Sequence, residues 1–274
     1  MNTVMSADGT AIAYDRRGSG PALILVDGAM CWRAQGPSGP LADLLEQHFT
    51  VYTYDRRGRG DSRDATTYQV EREIEDLRAL IDEAGGAAHV YGISSGAALA
   101  LEAANAGLPI TSLALYEPPF IVDGTRPPAP ADLLTRTQTL LAAGKRGETV
   151  KFFMTKGVNL PGLVVAMMRF MPAWSKLKSV AHTLAYDLTI IGEHQLGHPL
   201  PTDRWTALTM PVLVADGAKS PTWIRNGARQ LADVLPGAEH RTLPGQTHMV
   251  KPEALAPVLT AFFSGHDAPS HPAA

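Results

Sequence analysis

The chain has 274 residues, of which 45% are hydrophobic, and its formal net charge is −3 at pH 7. This length and apolar content allow one large buried core, and the weak negative charge excludes the broad basic surface that binds nucleic acid or an anionic membrane. The single cysteine, Cys31, excludes an intrachain disulfide and favours a reducing compartment, so we expect a cytoplasmic protein.

Short apolar runs alternate with amphipathic stretches along most of the chain. This alternation predicts an α/β fold with a mostly parallel, twisted sheet and helices on both faces. The predicted strands are Ile12–Asp15, Ala22–Val26, Val51–Tyr54, His89–Tyr91, Ser112–Tyr116, Val212–Ala215 and His240–Leu243. The predicted helices are Leu41–Gln47, Val70–Ala84, Ser95–Ala106, Ile224–Val234 and Pro252–Phe263.

The alternation stops from about residue 125 to residue 205, where a proline-rich stretch leads into helical patterns without strands. We interpret residues 125–205 as a helical cap inserted after the sixth strand of a core formed by residues 1–124 and 206–264. Residues 265–274 are small, polar and proline-rich, which predicts a flexible tail. Met154, Met168 and Trp174 lie in the apolar part of the cap, where they either pack its core or line a substrate pocket.

The segment Gly92–Gly96, GISSG, is the strongest chemical signal in the sequence. It places Ser94 between an apolar strand and an alanine-rich helix, with a glycine two residues away on each side. This arrangement lifts a serine hydroxyl onto a tight turn above a parallel sheet, and the glycines are needed because a Cβ would collide with neighbouring backbone. Ser94 is therefore the candidate nucleophile.

A serine hydroxyl needs a base to become nucleophilic, and His248 is the candidate because it follows the last predicted strand. The developing oxyanion needs two backbone N–H groups. We expect these from Ser95, directly after the nucleophile, and from Ala29, in the loop after the second predicted strand. Gly28 and Met30 flank Ala29 and are candidates for the substrate pocket.

Two other patterns do not predict a site. Arg56, Arg57 and Arg59 lie among glycines, but the sequence that would complete a phosphate-binding loop does not follow them. His194 and His198 have the spacing of a metal-binding pair on a helix, but Gly197 and Pro199 argue against that helix. We assign no metal and no cofactor.

The GISSG segment, the arginine-rich loop Tyr54–Ser62, the inserted cap and His248 together resemble the α/β-hydrolase superfamily over roughly residues 8–264. The resemblance implies the α/β-hydrolase fold and a structural role for the arginine-rich loop. The chain departs from the family at two places. Asp27 precedes Gly28 where a histidine is usual, and Gly217–Ser220 stands where the family usually places the acid of its triad.

Some members of the superfamily take that acid from the end of the preceding core strand, where this chain has Glu117. Zearalenone-type lactonases are similar in three local features. These are an Asp-Gly oxyanion loop, a glutamate a little over twenty residues beyond the serine, and a Gly-Ala-x-Ser-Pro turn. Here they correspond to Asp27-Gly28, Glu117 and Gly217–Pro221. Asp216 and Asp123 remain alternative acids.

These residues predict a cofactor-free serine hydrolase that cleaves an ester or lactone with an apolar body. The same triad also serves hydrolysis of a carbon–carbon bond in a diketone, so that reaction stays open. A protein of this fold that binds a ligand without hydrolysing it is a further alternative. The sequence does not indicate the oligomeric state.

Overall fold

A computed structural model describes residues 1–65 and 67–265. In this part of the chain, eight strands form a single sheet in the order β1-β2-β4-β3-β5-β6-β7-β8. The strands are β1 (Asn2–Met5), β2 (Ala11–Arg17), β3 (Ala22–Val26), β4 (Thr50–Tyr54), β5 (Ala88–Ile93), β6 (Ile110–Tyr116), β7 (Val212–Gly217) and β8 (Glu239–Leu243). Strands β3 to β8 are parallel, whereas β2 pairs antiparallel with both β1 and β4.

Helices connect the strands and cover both faces of the sheet. They are α1 (Ser38–Leu45), α2 (Val70–Glu83), α3 (Ser95–Asn105), α4 (Leu133–Ala142), α5 (Arg146–Phe152), α6 (Gly162–Met168), α7 (Ala173–Ser179), α8 (Leu184–Ile191), α9 (Thr222–Val234) and α10 (Pro252–Phe263). A π-helical turn, Phe153–Gly157, continues α5.

The core lies in two apolar layers, one on each side of the sheet. Successive residues of a strand point to opposite faces, so Ile24 and Val26 of β3 pack into the layer that contains α3. Leu23 and Leu25 of the same strand pack into the layer that contains α1 and α10. Because the central strands are buried on both faces, they are mostly apolar and do not alternate between apolar and polar residues.

All seven predicted strands are present, and the predicted mostly parallel sheet with helices on both faces is confirmed. The sequence reasoning missed β1, a four-residue strand that pairs only with β2 at the edge of the sheet. Helix α1 begins at Ser38 rather than at the predicted Leu41. Proline at position 40 lies in the first turn of this helix, where no backbone N–H is needed, so it does not break the helix.

Residues 117–211 connect β6 to β7 and contain helices α4 to α8. All of these residues are described, and none belongs to one of the eight strands. The division into core and cap at residues 124 and 205 stays a prediction. Of the predicted tail, residues 266–274 lie outside the described residues. No helix in the described part of the chain is both long and apolar enough to cross a membrane.

Candidate active site

Ser94 lies at the turn between β5 and α3, in a backbone conformation that residues with a side chain rarely adopt. Its φ is 57° and its ψ is −128°. A non-glycine residue held in this way costs of order 1–3 kcal/mol, and such strain collects at functional sites. A Cβ at Gly92 or Gly96 would lie only 2.5 Å or 2.3 Å from a backbone oxygen, so both glycines are required at this turn. The turn presents the Ser94 hydroxyl at the carboxyl end of the central strands.

The structure brings His248 and Glu117 together at the same edge of the sheet. Glu117 directly follows β6 and is completely buried, and His248 lies in the loop between β8 and α10 with 37% of its side chain exposed. Nδ1 of His248 is 2.7 Å from Oε2 of Glu117. Because an ionised carboxylate only accepts hydrogen bonds, this contact places a proton on Nδ1 and leaves Nε2 as the acceptor nitrogen.

Backbone contacts hold both members of this pair. The second carboxylate oxygen of Glu117, Oε1, accepts a hydrogen bond from the N–H of Gly217 at 2.7 Å. The Tyr116 hydroxyl donates to the carbonyl oxygen of Thr247 at 2.8 Å, which fixes the loop next to His248. The orientation of the imidazole is therefore set by β6 and by the end of β7.

The Ser94 hydroxyl makes no hydrogen bond to any described residue. The structure thus joins the predicted acid to the predicted base without a bond from the base to the serine. Hydrogen bonds of this kind are often long in the absence of substrate and shorten only in the complex.

The two alternative acids have other partners. Asp216 is the next-to-last residue of β7, and its Oδ2 lies 2.7 Å from Nε2 of His240. Burial raises the pKa of Asp216, but the hydrogen bond and charge of His240 outweigh it and bring the pKa below its usual value. Asp123 accepts a hydrogen bond from Nδ2 of Asn226 at 2.6 Å. Neither carboxylate is bonded to His248.

The loop after β3, the predicted oxyanion loop, lies directly against Ser94. A Cβ on Gly28 would lie 2.9 Å from Cβ of Ser94 and 3.5 Å from its Oγ. The backbone N–H groups of Ala29 and Ser95 have no hydrogen-bond partner among the described residues. Unpaired N–H groups beside a serine hydroxyl are the groups that a developing oxyanion needs. Met30, the next residue of the loop, also has a positive φ of 60°.

A buried carboxylate, Asp187 of α8, ties this loop to the serine turn. Its oxygens accept hydrogen bonds from Arg56 at 2.8 Å and from the Ser95 hydroxyl at 2.8 Å. Nη2 of Arg59 donates to both oxygens, at 2.8 and 2.9 Å. Arg59 also donates to the carbonyl oxygen of Gly28 at 2.7 Å. Burial raises the pKa of Asp187, but the positive charges of Arg59 and Arg56 outweigh burial and lower it.

We call Asp187, Arg56, Arg59 and Ser95 the Asp187 cluster. It connects both predicted oxyanion N–H donors to a helix of the segment between β6 and β7, and sequence reasoning did not find it. The signal that was available is Asp187 itself, the single charged residue in the apolar helix Leu184–Ile191. A carboxylate in such a helix is buried only when it is paired.

The five predicted pocket residues fall into two groups. Gly28 and Met30 lie in the loop beside Ser94. Met154 is buried in the π-helical turn, and Met168 is half-buried on α6. Trp174 of α7 is buried, and it lines a groove of about 630 Å³ formed with α5 residues that contains none of the three predicted triad residues. A role in substrate binding remains a prediction for all five. Within residues 1–65 and 67–265, no group of three His, Cys, Asp or Glu side chains is placed to hold a metal.

Comparison with known proteins identifies the family of the chain. The sequence profile described as "Alpha/beta hydrolase family" matches residues 18–258. The crystal structure of an alpha/beta hydrolase from Sphaerobacter thermophilus DSM 20745 is 54% identical, with a TM-score of 0.88 over 96% of this chain and 100% of that chain. The enol-lactonase from Burkholderia xenovorans LB400 has a TM-score of 0.70 at 19% identity, over 96% of this chain and 100% of that chain.

Curated proteins also match, and one of them is a hydrolase from Bacillus subtilis. The uncharacterized hydrolase YraK of Bacillus subtilis (strain 168) is 35% identical over 108 residues. The match covers 37% of this chain and 38% of YraK, well under two thirds of that protein.

Proposed function

Because the chain belongs to the α/β-hydrolase family, we propose that this hydrolase is a cofactor-free serine enzyme that cleaves an ester or a lactone with an apolar body. Ser94 is the nucleophile, His248 the base and Glu117 the acid that orients the base. The partner is a small molecule.

The single observation that carries the proposal is the 2.7 Å contact between His248 Nδ1 and Glu117 Oε2 at the edge of the sheet where Ser94 is presented. A buried carboxylate that fixes an imidazole next to a strained serine turn is the arrangement that activates a serine hydroxyl. The two rival carboxylates are bonded elsewhere, which favours Glu117 for this role.

The proposed reaction begins when Ser94 Oγ attacks the carbonyl carbon of the substrate and passes its proton to His248 Nε2. Glu117 stabilises the imidazolium that forms, and the N–H groups of Ala29 and Ser95 donate to the oxyanion. The oxyanion collapses as His248 protonates the leaving alkoxide, which leaves an acyl-serine. A water molecule activated by His248 then attacks the acyl group, and Ser94 Oγ leaves with the returned proton.

Lactones are included beside esters because an enol-lactonase is among the proteins that share this fold, although at 19% identity the likeness is to the fold alone. The local similarity of Asp27-Gly28, Glu117 and Gly217–Pro221 to zearalenone-type lactonases points the same way. Hydrolysis of a carbon–carbon bond in a diketone is the alternative reaction, since it uses the same three residues.

The test is a panel of nitrophenyl esters of increasing acyl length, lactones of increasing ring size and one diketone, with purified wild type and Ser94→Ala. We expect turnover of an ester or lactone that is lost in Ser94→Ala and kept in Ser175→Ala, which changes an exposed serine on α7. Turnover of the diketone alone would replace the proposal by the alternative reaction. Tight binding of the panel without any turnover would indicate a non-hydrolytic binding protein.

A further inference from the structure

Helix α9 begins at the turn after β7 without a capping side chain. The residue before it is Pro221, and the N–H groups of Thr222 and Trp223 have no hydrogen-bond partner among the described residues. Unpaired N–H groups and the helix dipole together favour a negative charge at such a terminus. A terminus alone is not a binding site, but two buried side chains with unused polar atoms lie at this one.

Ser220 and Arg126 are these two residues. The Ser220 hydroxyl belongs to a residue that is 7% exposed, and it has no hydrogen-bond partner. Arg126 is 4% exposed, and its guanidinium carbon lies 4.3 Å from the ring centroid of Trp223, in the first turn of α9. Its Nη2 donates to the carbonyl oxygen of Gly157, whereas its Nη1 is buried without a partner.

Arg126 also differs from every other buried arginine in the described chain. Arg56 and Arg59 are paired with Asp187, and Arg57 is paired with Asp76. No described carboxylate lies within ion-pair distance of Arg126. Asp123, three residues earlier, is bonded to Thr125 and Asn226 instead. Burial lowers the pKa of Arg126, as expected for a cation with no counter-ion.

A buried cation with no counter-ion is strongly unfavourable, and a second positive end, the α9 terminus, lies beside this one. The unpaired Nη1, the two helix N–H groups and the serine hydroxyl are all hydrogen-bond donors. An anion is the ligand that accepts from such donors and also neutralises a guanidinium group.

We propose that Arg126, Ser220 and the first turn of α9 form a site that binds a carboxylate. A carboxylate has two acceptor oxygens, so one accepts from Nη1, the nitrogen of Arg126 that Gly157 leaves free, and the other accepts from the donors at the start of α9. The site joins three elements. Arg126 lies in the loop after Glu117, and Ser220 lies in the turn after β7, the strand whose last residue, Gly217, donates a hydrogen bond to Glu117. The third element is the π-helical turn that contains Met154 and Gly157.

The carboxylate has two possible sources, the substrate itself or a free carboxylic acid. If it belongs to the substrate, the enzyme prefers half-esters of dicarboxylic acids, and this part of the inference rests on the proposed function. The binding of a free carboxylate does not depend on hydrolysis.

The binding test measures the melting temperature of the full chain in succinate against chloride at equal ionic strength. We expect succinate to stabilise wild type and to have no effect on Arg126→Met. The matched control is Arg136→Met, because Arg136 is also stacked on an aromatic ring, Phe152, but is exposed. An equal response in all three proteins, or none in wild type, overturns the site.

A purely structural role of Arg126 gives a different result in chloride. It predicts that Arg126→Met melts well below wild type, whereas removal of an unpaired buried charge leaves the melting temperature equal or higher. If Arg126→Met does not fold, Ser220→Ala provides the second variant, and we expect it to weaken succinate binding. Unchanged succinate affinity in Ser220→Ala then overturns the site.

The source of the carboxylate is identified with monomethyl succinate and dimethyl succinate as substrates. A substrate site predicts that Arg126→Met lowers kcat/KM for the half-ester by about 10- to 100-fold and leaves the diester unchanged. Equal effects on both esters, with succinate still bound, assign the site to a free carboxylate. Hydrolysis of neither ester, with succinate still bound, assigns the site to a free carboxylate, and the proposed function is then decided by the panel of esters and lactones alone.

Discussion

Replacement of Glu117 by glutamine tests the proposed acid with the smallest change of shape. Glutamine has one acceptor oxygen and one donor nitrogen where glutamate has two acceptors. The N–H of Gly217 fixes the orientation of the glutamine amide. This N–H lies 2.7 Å from the side-chain oxygen in the wild type, so the amide oxygen must take that position to accept its hydrogen bond. The amide NH₂ group of the glutamine then faces Nδ1 of His248, which can pair with it only as an acceptor.

This exchange reverses the tautomer of His248. With Nδ1 unprotonated, the imidazole proton moves to Nε2, the nitrogen that must accept the proton of Ser94. The base is then in the wrong form, and the stabilisation of the imidazolium is lost as well. For a triad carboxylate replaced by its amide, kcat falls about 10⁴-fold. Each tenfold loss corresponds to 1.36 kcal/mol, so the transition state loses about 5 kcal/mol of stabilisation.

Asp216→Asn is the matched control because Asp216 is another fully buried carboxylate, on the neighbouring strand, that is bonded to another histidine. We expect kcat of Asp216→Asn to stay within about threefold of wild type, although its stability falls because Asp216 is paired with His240 and Arg225. The assay is initial-rate hydrolysis of the best ester of the panel, with urea unfolding of each variant to show that it is folded.

The reversed pattern, a mild Glu117→Gln and an inactive Asp216→Asn, would refute the reasoning and move the acid to β7. Mild effects of both would show that neither carboxylate orients the catalytic base. If Glu117→Gln does not fold, Glu117→Asp is the second variant. It keeps the charge, but its side chain is too short to contact Gly217 and His248 together, so we expect it to lose activity as well.

Three further predictions concern the surroundings of the site. Asp187→Asn removes the negative charge that is paired with two buried guanidinium groups, those of Arg56 and Arg59. We expect the free energy of unfolding, measured in urea, to fall by about 3–5 kcal/mol and kcat to fall at unchanged KM. An unchanged kcat would show that the Asp187 cluster has no part in catalysis. Burial raises the pKa of Asp27 from 3.8 to about 6, so its stabilising contribution is full below pH 3.8 and lost as the pH rises through about 6. Urea unfolding should therefore show Asp27→Asn gaining about 3 kcal/mol of stability on wild type between pH 3.8 and pH 7. A difference that stays constant with pH would contradict the raised pKa of Asp27. Met168→Ala should raise KM or shift acyl-chain preference without changing the rate of labelling by a small phosphonate, and an unchanged substrate profile would assign Met168 to packing alone.

Much of the fold could be predicted from the sequence because the patterns that indicate strands and helices are local. The apolar central strands and the amphipathic helices follow from periodicity, and the GISSG segment fixes where one strand ends and a helix begins. Strand β1 was not readable because a four-residue edge strand exists only through its pairing with β2. The start of α1 was misplaced because proline breaks most helices but is compatible with a first turn.

The sequence predicted the candidate residues of the site but not which of them contact each other, because those contacts join residues far apart in the chain. Glu117 and Asp216 lie at the carboxyl ends of two neighbouring parallel strands, β6 and β7, so both were candidates for the acid. The two carboxylates differ in the histidine that each one contacts. Asp216 contacts His240, which lies in β8, and Glu117 contacts His248, which lies in the loop after β8. Asp187 was out of reach for the same reason, since Arg56 lies 131 residues away in the chain.

Backbone strain provides an argument for the site that does not depend on the triad assignment. Four non-glycine residues in the described chain have a positive φ, and three of them, Met30, Ser94 and Glu117, lie in the proposed catalytic region. Each follows a different parallel strand. Two of them are held by a neighbouring strand, because the N–H of Ser94 donates to the carbonyl oxygen of Tyr116 and the N–H of Gly217 donates to Oε1 of Glu117. Positive φ costs free energy at every one of these positions, and ordinary connections between strand and helix do not need it. Strained residues therefore lie at the ends of three neighbouring strands, β3, β5 and β6. At this edge of the sheet, the positions of the side chains are kept at a cost in stability, as expected of a functional site.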